Sequence, residues 1–188
     1  MIKAEFKKGI KGDDPVLNRS NGQVAFFGRS NVGKSSVINS LVNKKIAFSS
    51  NTPGRTLEIN VFDTDKKFTL LDFPGYGFAK ISEDRREKLR KMILWYVGEF
   101  QHDKRLFVLV IDGQIGLTDM DKEMLGIFIA ENHQFLVVAN KADKLNQSGK
   151  AKLVNQLKNE VGDTHYILYS ATKKTGQSEL VDYIEKHI

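Results

Sequence analysis

A glycine-rich octapeptide near the start of the chain most constrains what it can fold into. Residues 28–35 read GRSNVGKS and lie between the apolar run 24–27 and a helical stretch that begins at Ser36. This order indicates a strand, a tight turn and a helix N-terminus. The two glycines let successive backbone N–H groups point into one concavity, and the helix N-terminus adds unsatisfied donors. The octapeptide therefore predicts a cradle for a chain of phosphates.

Two side chains of the octapeptide have a specific chemistry in such a cradle. Lys34 supplies a positive charge for the β- and γ-phosphates of a nucleotide, and the Ser35 hydroxyl is a suitable ligand for Mg²⁺. The nucleotide contacts predicted in this segment are Gly28, Arg29, Ser30, Asn31, Val32, Gly33, Lys34, Ser35 and Ser36.

Composition limits the class of protein. The 188 residues fit one domain, with a short N-terminal extension over about 1–20, and 40% of them are hydrophobic and 28% charged. The sequence lacks both an eighteen-residue apolar run and the apolar core of a signal peptide, so we expect a cytoplasmic protein. With no cysteine in the sequence, disulfides and thiolate metal sites are excluded.

Apolar runs with β-type composition alternate with amphipathic stretches along the chain. The predicted strands are 23–27, 57–62, 67–72, 106–112, 134–140 and 165–169. The predicted helices are 34–43, 82–100, 118–132, 148–161 and 177–187. The alternation predicts an α/β three-layer sandwich with helices on both faces of a six-stranded, mostly parallel sheet. Because only a short turn joins strands 57–62 and 67–72, they should form a hairpin with one antiparallel edge strand.

Polar motifs follow three of these strands, at the sheet edge where ligands bind in such folds. The first motif is Asp72-Phe73-Pro74-Gly75. Its carboxylate suits Mg²⁺ through a water molecule, and the Gly75 N–H can approach a γ-phosphate without obstruction. All four residues are predicted nucleotide contacts.

The other two motifs predict that the base is guanine. A carboxylate at Asp143 can accept hydrogen bonds from N1–H and N2–H₂ of guanine, where adenine offers no donor. The predicted base contacts are Asn140, Lys141, Ala142, Asp143, Tyr169, Ser170 and Ala171, with backbone N–H groups at the last two facing guanine O6. An ATPase is the less favoured alternative.

The segment between the first helix and strand 57–62 is rich in turn formers. A threonine there could close on Mg²⁺ when the γ-phosphate is present and release after hydrolysis. Thr52 and Thr56 both fit this role by their chemistry alone.

Together these motifs resemble the EngB family of P-loop GTPases, which is related to Ras-like proteins and takes part in bacterial ribosome assembly. The segments that carry the resemblance are 28–36, 52–56, 72–77 and 141–145. The resemblance implies a Ras-like fold, GTP hydrolysis, Thr56 as the magnesium threonine, Gly54 and Arg55 as further nucleotide contacts, and a requirement for cell division and septation. Leu57 departs from the family, which has a glutamine there.

The predicted catalytic machinery is incomplete. In Ras-like proteins a glutamine after the D-x-x-G motif orients the attacking water, but this chain has Tyr76, so we expect slow intrinsic turnover. Lys34, Thr56 and Gly75 are the predicted catalytic contacts. In related GTPases an asparagine at the position of Asn31 accompanies K⁺ beside the phosphates, although it could also be a turn residue; Arg55 is a less favoured internal arginine finger.

The partners are predicted from charge together with the EngB resemblance, because charge alone indicates no more than an affinity for polyanions or a soluble surface. The net charge is +6, and basic residues cluster at 85–91, at 3–11, at Lys104-Arg105 and at Lys173-Lys174. These clusters are either solvated faces or a surface for ribosomal RNA that contacts phosphates rather than bases. The resemblance implies a switch that acts on the large ribosomal subunit, and we expect it to be monomeric. The alternative is a GTP-regulated module at the membrane or septum, which the absence of an amphipathic membrane helix disfavours.

Overall fold

The fold is built on a seven-stranded sheet, seen in a computed structural model that describes residues 2–48, 57–77, 82–163 and 165–188. The strands lie in the order β1-β3-β4-β2-β5-β6-β7. Their bounds are β1 Ala4–Ile10, β2 Gln23–Gly28, β3 Ile59–Thr64, β4 Thr69–Asp72, β5 Arg105–Asp112, β6 Gln134–Asn140 and β7 Tyr166–Leu168. All adjacent pairs are parallel except the two that include β3.

Helices cover both faces of the sheet, as predicted. They are α1 Lys34–Val42, α2 Glu83–Leu94, α3 Asp119–Ala130, α4 Gln147–Val161 and α5 Gln177–His187. Helix α2 continues into a π-helical turn, Trp95–Glu99. Helices α1 and α5 pack on one face, and α2, α3 and α4 on the other, each layer with its own buried cluster of apolar side chains.

Strand β2 shows why the central strands read as continuous apolar runs. Val24 and Phe26 join the cluster beneath α1 and α5, whereas Ala25 and Phe27 join the cluster beneath α2, α3 and α4. A strand with helices on both faces must be apolar on both faces, so its sequence does not alternate. Because β2, β4 and β6 run parallel to one another, their carboxyl ends lie at the same edge of the sheet.

The sheet has seven strands rather than the six predicted, because β1 lies within the expected N-terminal extension. It pairs antiparallel with β3, which is therefore an interior strand and not the edge. Residues 4–10 show no strand periodicity because β1 is largely exposed and includes Glu5, Lys7 and Lys8. Charged side chains are typical of edge strands, since they oppose pairing with another chain.

Two isoleucines, one just before β1 and one at its end, anchor this strand in the apolar clusters on the two faces of the sheet. Ile2 is fully buried in the cluster beneath α1 and α5, and Ile10 is buried in the opposite cluster. The β1 backbone is therefore held by side chains on both faces of the sheet, in addition to its pairing with β3.

We expect Ile2→Ala to lower the free energy of unfolding by about 2–4 kcal/mol, because it removes a fully buried side chain and leaves a cavity. Urea unfolding followed by circular dichroism measures this change. The neighbouring exposed residue provides the control, and Lys3→Ala should change the same quantity by less than about 0.5 kcal/mol. Equal, small losses in both variants would contradict the anchoring of β1.

Candidate nucleotide-binding site

Two glycines shape the loop between β2 and α1. At Gly28 a Cβ atom would overlap the Val110 carbonyl of β5, so only glycine lets the strands approach there. At Gly33 the backbone has a φ of 89°, which side chains rarely adopt, and a Cβ atom would overlap the Asn140 side-chain amide. The loop therefore requires glycine at both positions for packing as well as for its conformation.

The end of β6 holds this loop through its backbone carbonyls. Asn140 Nδ2 donates to the Val32 carbonyl over 3.0 Å, and Lys141 Nζ donates to the Asn31 carbonyl over 3.0 Å. Asn31 itself has a positive φ of 69°, which asparagine tolerates better than most residues. With these two carbonyls engaged by β6, the loop has a fixed shape.

The chain after β4 runs beside the same loop. Ser30 N–H donates to the Tyr76 carbonyl over 2.9 Å, and Tyr76 N–H donates to the Gly28 carbonyl over 3.3 Å. A Cβ atom at Gly75 would lie 3.0 Å from Ser30 Oγ, a closer approach than most side chains make. The glycine of the D-x-x-G motif thus lies directly against the octapeptide.

A buried ion pair joins the two motifs. Lys34 Nζ contacts Asp72 Oδ1, and the side chains are only 9% and 4% exposed. Each charge offsets the cost of burying the other. Since Ser35 follows Lys34 in the first turn of α1, a hydroxyl and a carboxylate lie at the same end of the site, which is a donor set that suits Mg²⁺.

The predicted base contacts lie on two segments, one after β6 and one after β7. A hydrogen bond with the Ser170 side chain lowers the pKa of Asp143 below its usual range, and this exposed carboxyl is ionised at neutral pH. Lys141 Nζ contacts Asp112 Oδ2 over 2.6 Å, so its stem lies along the loop. The segments after β6 and β7 are therefore adjacent, as their shared sheet edge predicts.

The two N–H groups expected to face guanine O6 both donate within the protein. Ser170 N–H donates to the Thr175 carbonyl over 3.0 Å, and Ala171 N–H donates to Asn140 Oδ1 over 3.2 Å. Asn140 thereby links Ala171 to Val32. One side chain therefore connects the predicted base loop, residues 169–171, with the predicted phosphate loop, residues 28–35. A contact from Ala171 to the base would have to share its N–H.

Four of the predicted contacts have side chains that point into the core, namely Val32, Phe73, Ala142 and Tyr169. Phe73 stacks on Phe27 with ring centroids 4.4 Å apart, and the Tyr169 hydroxyl contacts Ser40 Oγ. Any contact that these four residues make with a ligand would be through their backbone.

The remaining predicted residues have different environments. Arg29, Ser30, Ser35, Pro74 and Lys141 are partly buried, and Ser36 is exposed. Gly54, Arg55 and Thr56, with the alternative Thr52, lie outside the described residues, so the roles predicted for them stay predictions. Over the described ranges, no three acidic or histidine side chains cluster as metal ligands, and no helix could cross a membrane.

Sequence reasoning missed two buried aspartates. Asp112, at the end of β5, pairs with Lys141, and Asp121, in the first turn of α3, pairs with Arg29 over 3.1 Å. The sequence contains a signal for the second: Thr118 precedes Asp121 by three residues, a spacing typical of a helix start. Neither residue belongs to one of the motifs.

The chain matches one family model and many known proteins. A model described as "50S ribosome-binding GTPase" matches residues 23–141. GTP-binding protein EngB of Aquifex aeolicus (strain VF5) is 43% identical over 86% of this chain and 88% of its own length. The EngB protein of Mycoplasmopsis agalactiae is 41% identical over 100% of this chain and 96% of its own length.

Solved structures give the same fold. An EngB crystal structure has a TM-score of 0.71 at 24% identity, covering 88% of this chain and 97% of its own. Era of Aquifex aeolicus, with GDP and AlF₄⁻, has a TM-score of 0.68 at 28% identity over 89% of this chain and 56% of its own. Another Era structure, with MgGDPNP and part of 16S ribosomal RNA, has a TM-score of 0.67 at 27% identity, covering 88% of this chain and 56% of its own.

Proposed function

This chain belongs to the EngB family of P-loop GTPases, and from that premise we propose that its GTP hydrolysis drives a switch in assembly of the large ribosomal subunit. The observation that carries the nucleotide site is the bridge made by Asn140, which joins the phosphate loop to the base loop. This bridge fixes the distance between the two ends of a bound nucleotide, and a fixed site lowers the entropy cost of binding.

The phosphates are proposed to lie on the N-terminus of α1. Backbone N–H groups of 28–36 would surround them, and Lys34 would move its ammonium group from Asp72 to the β- and γ-phosphates. The Gly75 N–H would then contact the γ-phosphate. Mg²⁺ would be held by Ser35, by Thr56 and, through water, by Asp72, and it would supply charge neutralisation for the phosphates when bound.

Guanine is proposed to bind between Lys141 and the 170–171 segment. Asp143 is exposed and ionised, so it can accept from both N1–H and N2–H₂ of guanine. The ammonium of Lys141 is held by Asp112 and the Asn31 carbonyl, which leaves the aliphatic stem to cover the purine ring.

The surface of α2 is the proposed site of contact with RNA. Arg86, Lys88, Arg90 and Lys91 are exposed on this helix, which follows the segment after Gly75. Arg105, by contrast, does not belong to this surface: its guanidinium lies over the rings of Tyr96 and Phe107, and burial lowers its pKa. The family description and the RNA-bound Era structure support an RNA partner. We attribute the expected division and septation defect to loss of ribosome assembly.

Changing Asp143 should change the base that is bound. In Asp143→Asn an amide group can donate where the carboxylate accepted, so we expect affinity for GTP to fall about a hundredfold through loss of two charged hydrogen bonds. Xanthosine triphosphate should gain affinity because it carries an oxygen where guanine has its amino group. Fluorescent-nucleotide titration measures both, with exposed Asp163→Asn as control. Unchanged GTP affinity in Asp143→Asn would refute the base contact.

Potassium should accelerate hydrolysis if Asn31 helps to hold it beside the phosphates. We expect the GTPase rate to be about tenfold higher in KCl than in NaCl of equal ionic strength, since a cation there neutralises developing charge. Asn31→Ala should reduce the difference between the salts. Equal GTPase rates of the unchanged protein in KCl and NaCl would refute the proposed role of K⁺ in hydrolysis.

Sedimentation tests the ribosomal role. In lysate, we expect the protein with a non-hydrolysable GTP analogue to co-migrate with large-subunit particles, and the protein with GDP to remain at the top of the gradient. Arg86→Glu with Arg90→Glu should abolish co-migration because phosphate contacts are lost. The control is Lys150→Glu with Lys152→Glu, the same charge change on α4. Recovery with membranes alone, or identical partition in both nucleotides, would exclude the proposed role.

A further inference from the structure

Asp121 is not a proposed nucleotide contact, but its buried carboxylate joins two segments that carry such contacts. These segments are the octapeptide 28–35 and the segment 72–76. Asp121 is 0% exposed. Its Oδ2 accepts from the Thr118 N–H over 3.1 Å and from the Thr118 hydroxyl over 2.7 Å, which holds the carboxylate at the start of α3. Two donors from other parts of the chain complete its surroundings: Arg29 Nε lies 3.1 Å from Oδ2, and the Tyr76 hydroxyl lies 3.2 Å from Oδ1.

These two donors come from the two motifs that would bind the γ-phosphate region. Arg29 is the second residue of the octapeptide, and Tyr76 follows Gly75 directly. Asp121 is the carboxylate that pairs with the Arg29 guanidinium, through Nε. The Nη2 atom of the same guanidinium is buried and has no acceptor among the described residues. Loss of the carboxylate would leave a partly buried charge without compensation.

The start of α3 is itself held in place. Gln156 of α4 accepts from the Leu117 N–H and donates to the Leu117 carbonyl, each over 3.2 Å. The paired bonds fix the residue that precedes Thr118. Asp121 therefore lies on a segment fixed by a separate helix, and it can act as a fixed point for the loops that contact it.

Tyr76 does not have the geometry of a substitute for the missing glutamine. Its hydroxyl donates to Asp121 and so points toward α3. Burial, together with the nearby Asp121 charge, raises the pKa of Tyr76 well above its usual range, so the phenol stays neutral. A neutral phenol already bonded to a carboxylate is a poor acceptor for a proton from water.

We propose that Asp121 is a positioning residue for GTP hydrolysis, which holds Tyr76 and Arg29 so that the Gly75 N–H faces the γ-phosphate. The inference rests on the proposed contact between Gly75 and that phosphate. Tyr76 is covalently next to Gly75, and its backbone also pairs with Gly28 and Ser30. Fixing both the backbone and the side chain of Tyr76 leaves little freedom to its neighbour.

A positioning role and a purely structural role predict different effects on the affinities for a GTP analogue and for GDP. GDP lacks the γ-phosphate, so loosening Gly75 should weaken binding of a GTP analogue and leave GDP binding unchanged. Residues that only stabilise the fold would lower the melting temperature and affect both nucleotides alike. The ratio of the two affinities is therefore the decisive measurement.

The experiment uses the full chain and four variants. Tyr76→Phe removes only the hydroxyl, Asp121→Asn removes the charge, Gly75→Ala tests the premise, and Asp119→Asn is the control on the exposed face of the same helical turn. Affinities for GDP and a non-hydrolysable GTP analogue are measured by titration, and hydrolysis is measured in a single turnover. For Tyr76→Phe we expect about fivefold losses in analogue affinity and in rate, the effect of one hydrogen bond, with unchanged GDP affinity.

The outcomes distinguish the proposed contact of Gly75 with the γ-phosphate from the proposed positioning role of Asp121. A shifted affinity ratio in Tyr76→Phe, Asp121→Asn and Gly75→Ala, with none in Asp119→Asn, supports the positioning role. A shift in Gly75→Ala but not in Tyr76→Phe would overturn that role and leave the Gly75 contact intact. An unchanged ratio in Gly75→Ala would overturn the Gly75 contact and the positioning role together. If Asp121→Asn does not fold, Tyr76→Phe still tests the positioning role, because it retains the aromatic ring of residue 76 and the charge of Asp121.

Discussion

The rest of the site depends on the fixed shape of the loop between β2 and α1. Backbone donors bind phosphates well only if they already point the right way, because ordering them on binding would cost free energy. Asn140 and Lys141 hold the Val32 and Asn31 carbonyls from one side, and Tyr76 pairs with Gly28 and Ser30 from the other. The loop is thus held by the ends of two strands that lie on either side of β2 in the sheet.

Three ion pairs connect the predicted phosphate and base motifs with neighbouring elements. In each pair at least one partner is mostly or fully buried. Lys34 meets Asp72, Arg29 meets Asp121, and Lys141 meets Asp112. In each pair the cation belongs to a phosphate or base motif and the carboxylate lies at a strand end or a helix start. Such pairs add little stability, since desolvation offsets their attraction, but breaking one is costly. The pairs of Arg29 and Lys141 therefore fix the relative positions of the motifs more than they stabilise the fold, whereas Lys34 is proposed to exchange Asp72 for the phosphates.

Much of the architecture could be predicted because the central strands are apolar on both faces and are separated by amphipathic helices. The prediction failed for β1, whose largely exposed edge position imposes no periodicity on Glu5, Lys7 or Lys8. Asp121 could not be assigned a role because its partners Arg29 and Tyr76 are distant in sequence. The contact of Ser170 and Ala171 with the base stays a prediction, and their N–H bonds to Thr175 and Asn140 are tertiary contacts that the local sequence does not indicate.

The sequence by itself determined the family, the GTPase chemistry and the layered α/β fold, because a phosphate loop and a guanine-reading motif need particular residue types at fixed local spacings. Only the tertiary structure decided what surrounds them. It bonded the Tyr76 hydroxyl to Asp121, placed Arg105 over aromatic rings and joined Arg29 to Asp121. The physical reason is that burial and pairing of charge depend on which strand ends meet at the sheet edge, and local spacing carries no information about that.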